Sequence, residues 1–425
     1  MKQLPLLSLL VYTIFALFTS CISHPDTLPD DNAVVIDLTA PWDSTCRLSD
    51  LADSIIYYPL ATEYKGVNFD VEILPQTIWT YNNIDNNMSE GHLYDRETGN
   101  LINRVPFNHR FGGMDTQMDY RIFDLSTHFS LDDDNLLLSP ASKLKGVKRY
   151  QYSIPIHAST GKHLDNIAFP YGYGWNYMRL NDSLVLRKQA MSIDVLPSYY
   201  LNWYTIQLDS LKQDVFPDSV FQTSMSWNNT KVHLLHDKIY FHFPIMKTIY
   251  EISPHHEPIA LYRYKLGKYE PPYSRIKNLD KYWELESKGK LPYINLRTSL
   301  MAKNYIFGGF NYKGLIHRVL VDRHTNRVYV LPTNSASERK SVEGIPNDLD
   351  GGLDFWPKRI SKNGEIYSWY NVKDLKKKVA QSHPETMKNP EAAKRLKEML
   401  DNLPEEVNVI VAVLKEKQKY KYHEN

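Results

Sequence analysis

Cysteine is nearly missing from this chain. Its 425 residues hold two, Cys21 and Cys46, too few for a disulfide framework or a cysteine-rich metal site. An excess of one charge is missing too. Lys and Arg number 50 against 49 Asp and Glu, a formal net charge of +1, and that balance does not ask for nucleic acid. No HExxH or HxH spacing occurs, and no GxSxG, so neither a zinc protease helix nor a nucleophile elbow is supported. Gly112 and Gly113 are followed by neither GK(S/T) nor GxGxxG, which rules out a phosphate loop there. Long apolar runs are confined to the amino terminus. What the chain has in quantity is aromatic: 30 Tyr, 15 Phe and 8 Trp, 12% of all residues, a composition that favours β structure and a sizeable core over disorder.

The amino terminus reads as an address. Lys2 precedes an apolar stretch from Leu4 to Phe18, broken only by Ser8 and Thr13, and Phe18, Thr19, Ser20 and Cys21 follow. This resembles a bacterial lipobox, which implies a signal peptide over 1–20, cleavage before Cys21, and palmitate-type acylation of that cysteine. An ordinary signal region or short membrane anchor is the alternative, although the run is short for a span of about 20 residues. Residues 21–32, polar with two prolines, suit a tether. Cys46 is then the one remaining thiol and reads as a small buried apolar residue.

Residues 33–425 read as one domain of repeated hairpins. Ile239 to Phe243, Thr248 to Ile252 and Ile259 to Tyr264 are three strand patterns separated by short turns, an antiparallel meander. A strand, a tight turn and a second strand recur at His92 to Val105, Tyr152 to Phe169, Trp203 to Phe216, Thr248 to Tyr262 and His317 to Leu331. Gly99, Gly161 and Asn326 suit the positive φ of such turns. The spacing of roughly 45 to 70 residues is close to that of propeller blades with long loops. Material at both ends supplies a sixth unit: strands between Val34 and Leu60 joined to Glu365 to Tyr370 and Asn408 to Leu414, their pairing left open. Ile73 to Tyr81 reads as one further strand. The expected fold class is therefore all-β, a six-bladed β-propeller, with a small helical insertion over about 373–403, where Asn389 and Pro390 form an N-cap and first-turn pair.

The chemistry-bearing segment is Gly344 to Pro357, GIPNDLDGGLDFWP. Asp348, Asp350 and Asp354 lie around two glycines beside Trp356. Such a loop suits either Ca²⁺ held through carboxylates and carbonyls, or a sugar stacked on Trp356 with acidic acceptors around it. It lacks the glycine and closing glutamate of an EF-hand. The alternative is a structural inter-blade loop whose aspartates cap backbone amides and whose Trp356 packs inward. Elsewhere, His255 and His256 read as a surface turn, and Asp132, Asp133 and Asp134 as a solvated one. Tyr171, Tyr173, Trp175 and Tyr177 put four rings on one side of the chain, as a core face or a rim platform.

The lipobox at Cys21, LSDLADSIIYYPLAT (Leu48 to Thr62), KTIYEI with YKLGKYEPP (Tyr264 to Pro272) and GIPNDLDGGLDFWP together resemble a family of uncharacterised six-bladed β-propeller lipoproteins of Bacteroidota. The resemblance implies the propeller and a lipid-anchored place in the cell envelope, at the outer membrane with the facing side open. It carries no catalytic residues. The expected function is binding of a glycan or an envelope protein at one face, through Asp348, Asp350, Asp354 and Trp356. Two alternatives stand beside it: a metal-assisted carbohydrate hydrolase or lyase with acids in the central channel, and a structural subunit of an envelope complex.

Overall fold

Hairpins with apolar residues on both faces cannot stand alone, and in this protein they are stacked. The structure, a computed structural model, describes residues 32–62, 69–83, 88–108, 129–132, 135–138, 150–157, 167–170, 175–179, 184–189, 201–205, 211–214, 231–236, 238–243, 247–253, 256–272, 279–331 and 344–417. Cys21, Gly161, His255, Asp133, Asp134, Tyr171 and Tyr173 lie outside them, as do the side chains of Asp132, Trp175 and Tyr177.

Among the described residues the strands fall into six sheets with a propeller-like arrangement. They span 69–108, 129–170, 175–214, 231–265, 295–331 and 359–416, and are numbered first to sixth below. In each sheet, strands adjacent in sequence pair antiparallel. The five recurring hairpins of the sequence are the third and fourth strands of the first five sheets. First strands lie against one another from sheet to sheet: 129–132 against 175–179, 231–235 against 295–301, and 295–301 against 359–360. The first strands are therefore the inner ones.

The sixth sheet has only three strands of its own, Arg359–Ile360, Ile366–Asn371 and Val407–Glu416. Its fourth is Ala52–Ala61, from before the first sheet, antiparallel to Val407–Glu416 with Tyr57 opposite Ala412. An early strand and the last described strand are thereby tied into one sheet, with Ala52–Ala61 as its outer edge strand. Val34–Asp37, grouped with the closing strands in the sequence, instead adds parallel to Ile259–Lys265 as a fifth strand of the fourth sheet. The stretch Ile73 to Tyr81 is two strands, Phe69–Ile73 and Thr77–Asn83, because Pro75 lacks the N–H that a continuing ladder needs.

The apolar pattern follows from this stacking. Val409, Val411 and Val413 pack with Tyr367 and Trp369 onto Val71, Ile73, Ile78 and Tyr94 of the first sheet. Ala412 and Leu414 of the same strand face the other way, toward Phe307, Leu320 and Leu331 of the fifth sheet. A strand buried on both faces reads as a continuous apolar run, and so Val409 to Leu414 is VIVAVL. Cys46 is buried in the same cluster as Phe307, as expected of a small apolar residue.

Among the described residues four α-helices decorate the sheets: α1 (Leu48–Leu51), α2 (Leu279–Ser287), α3 (Val372–Val379) and α4 (Pro390–Asp401). Asn389 caps α4 by accepting the Ala392 N–H at 3.0 Å. Leu375, Val379, Leu396 and Leu400 pack against Val407 and Ile410, so the insertion covers one end of the sixth sheet.

Candidate functional site

The segment 344–357 bridges the fifth and sixth sheets and is pinched shut by two backbone bonds, Ile345 N–H to Phe355 O at 2.9 Å and the reverse at 3.0 Å. Inside it Asn347 accepts the Leu349 N–H at 3.1 Å, an Asx turn, and donates to Asp350 at 2.8 Å. Asp350 is 2% exposed. Its carboxylate also accepts from the Gly352 N–H at 3.0 Å and from the Tyr57 hydroxyl at 3.1 Å. Burial pushes this carboxyl up, against the three donors that favour its charge. Asp348 accepts the Ser49 N–H at 2.9 Å and the Ser49 hydroxyl at 2.6 Å, tying the loop to α1. Two further backbone bonds, Lys388 N–H to Asp348 O and Asn389 N–H to Leu349 O, tie it to the turn before α4.

Asp354 and Trp356 stand differently. The Asp354 side chain is 30% exposed, with Lys378 Nζ of α3 at 3.8 Å. Trp356 is half-buried, edge-on to Phe307 with ring centroids 5.5 Å apart, and the Arg318 guanidinium lies over it at 5.0 Å. Thus the structure brings the four residues together on one loop, with two carboxylates bonded inward and Asp354 and Trp356 reaching the surface. Among the described residues no group of three or more His, Cys, Asp or Glu converges to hold a metal ion.

A second constellation was not read from the sequence. Arg359, first residue of the inner strand of the sixth sheet, donates to Asp70 at 2.9 and 2.6 Å and to Glu72 at 3.3 Å, both on the inner strand of the first sheet. Burial works against the Arg359 charge, but Asp70 and Glu72 outweigh it. Burial pushes the Glu72 carboxyl up to about 7, with Arg359 opposing. The Tyr367 hydroxyl donates to Val71 O at 3.1 Å. Lys358 has an exposed stem, but its amine donates to Trp369 O at 2.8 Å and sits 4.3 Å from that ring's centroid. Burial lowers that amine to about 8, and Asp70 opposes the shift. Arg359 and Asp70 are 289 positions apart. No local spacing signals such a pair; only the stacking of the last sheet on the first creates it.

One solved structure shares the fold of this chain at low identity. A structure from Bacteroides fragilis, described as an exported protein, superposes with a TM-score of 0.57 at 13% identity, covering 91% of this chain and all of that one. The β-propeller domain of the Trilobed protease from Pyrococcus furiosus gives 0.34 at 9% identity, over 63% of this chain and 72% of that one. TolB from Acinetobacter baumannii gives 0.32 at 12%, over 70% and 66%. No curated protein matches the chain. The sequence profile of a family described only as a domain of unknown function, DUF4934, matches residues 62–415, and the chain belongs to that family.

Proposed function

We propose that this protein is a lipid-anchored, extracytoplasmic β-propeller whose six sheets are six blades of one ring, and that it binds a glycan where segment 344–357 meets the inner strands. The anchor is Cys21, behind a signal peptide over 1–20. The first-to-last strand order of all six sheets and the borrowed strand Ala52–Ala61 support a closed ring. The exported description of the Bacteroides fragilis neighbour and the apolar leader support the location.

The observation that carries the binding reading is Trp356. A loop fixed by Asp348 and Asp350 holds this large ring half-buried, two residues along from the partly exposed carboxylate of Asp354, and an aromatic ring held near polar groups is what a sugar ring packs against. Thermal unfolding of the full chain against neutral and acidic oligosaccharides tests it. A ligand binding only the folded state at 100 times its Kd adds about 2.7 kcal/mol and raises Tm; no shift with any saccharide contradicts the reading. One observation favours a carbohydrate hydrolase or lyase instead: Glu72, pushed up to about 7 on an inner strand beside Arg359. Product formation from a bound oligosaccharide, abolished by Glu72→Gln, would establish it.

A further inference from the structure

On the face that the fifth sheet turns toward the sixth, Arg297, Gly309 and Arg318 stand in one row. Arg297 is opposite Gly309, and Gly309 is opposite Arg318. The middle position has no side chain, so nothing separates the two basic stems. A Cβ there would come within 2.9 Å of His317 O and 3.9 Å of Arg297 Cδ.

These arginines differ from others in the chain. Arg96 holds Glu365, Arg327 holds Asp43 and Arg359 holds Asp70. Among the described residues neither Arg297 nor Arg318 makes an ion pair. Arg318 lies over Trp356, half-buried, with its Nε buried and without a hydrogen-bond partner. Burial first, and Arg297 second, lower it to about 10. Two like charges kept together in this way cost stability. The same arrangement gives a preorganised pair of planar donors for an anion, with one plane already fixed by an aromatic ring.

We propose that Arg297, Arg318 and Trp356 form a subsite for an acidic saccharide, a uronic acid whose carboxylate bridges the two guanidinium groups while its ring lies beside Trp356. This rests on the glycan reading above and narrows it to a charged sugar. Sulfated sugars share the anionic chemistry, and the test separates them.

The test is titration calorimetry of the full chain with oligogalacturonate, with the same oligosaccharide after reduction of its carboxylates to alcohols, and with dextran sulfate, a sulfated glycan that has no uronic acid. Oligogalacturonate should bind, the reduced form about tenfold or more weakly, and affinity should fall with added salt. Arg297→Gln, at an exposed position, should weaken oligogalacturonate by about tenfold while leaving the reduced form unchanged. Arg318→Met should do the same, and Arg297→Gln keeps the test decisive if that variant fails to fold. Equal binding of the charged and reduced forms overturns the anion subsite while leaving the glycan reading intact. Binding of the reduced form alone does so too. Binding of dextran sulfate alone overturns the uronate assignment in favour of a sulfate. Binding of no probe at all overturns the subsite, and the glycan reading falls with it when the neutral oligosaccharides also leave Tm unchanged.

Discussion

Arg359 grips Asp70 with two hydrogen bonds, 2.9 and 2.6 Å long, and so joins the inner strand of the last sheet to that of the first. It is the polar counterpart of the apolar seam formed by Val409, Val411 and Val413 on Val71 and Ile73. Arg359 is 14% exposed and Asp70 27%, so part of the pair's energy is lost to solvent. Arg359→Met takes the guanidinium away from Asp70 and Glu72. We expect a loss of about 2 to 3 kcal/mol, below the range for a fully buried pair, in urea unfolding. A loss of under about 0.5 kcal/mol, as at an ordinary surface pair, would show that this joint does not secure the ring.

Glu72 gives the joint a pH dependence. Its folded carboxyl binds a proton more tightly than the unfolded one, because it is raised from 4.5 to about 7. Its contribution to stability is therefore complete below about pH 4.5 and is lost as pH rises through about 7. The Tm of Glu72→Gln relative to the parent should rise across that window. A flat difference would mean that Glu72 titrates as an ordinary carboxylate.

Gly99 ties the turn of the first sheet to the borrowed closing strand. It has φ +71, and a Cβ on it would meet Pro59 O at 2.0 Å, while Ala61 N–H donates to Gly99 O at 3.4 Å. Gly99→Ala adds left-handed strain to a backbone clash. We expect a loss of about 2 to 4 kcal/mol by denaturant unfolding; an unchanged midpoint would mean that turn and strand are not in contact.

Asp350 holds the loop beneath the proposed contact surface. Replacing it with Ala strands the Asn347 amide, the Gly352 N–H and the Tyr57 hydroxyl in a buried place. The expected cost is about 2 to 4 kcal/mol, seen as a lowered Tm. A variant as stable as the parent would show that these bonds do not set the loop.

The hairpins were legible because a two-residue period and turn residues are local signals. Gly99 at φ +71 and Asn326 at φ 56 sit where such turns need them. The α4 cap at Asn389 was legible for the same reason. Partners of strands were not. Val34–Asp37 and Ala52–Ala61 look alike in sequence, yet one adds to the fourth sheet and the other to the sixth, because register across hundreds of residues is decided by packing. Helix α2 was missed: Tyr282 and Leu285 are spaced along it among charged neighbours, a weak periodic signal. The acidic loop stood out by composition, but which of its residues face inward depended on Ser49 and Tyr57, about 300 positions away. The same holds for Arg297 and Arg318, which share a row only through the pairing of three strands.

The account turns on Trp356 as a contact residue on a fixed loop. The measurement that reaches it most directly is oligogalacturonate binding to Trp356→Ala, with Tm recorded on the same sample. Trp356 is half-buried against Phe307, so the substitution should cost about 2 kcal/mol, below the range for a fully buried Trp, and leave the protein folded. The account predicts that binding weakens by more than about tenfold in that folded variant. Undiminished binding, with only the Tm lowered, would show that Trp356 belongs to the core and that the ligand site lies elsewhere.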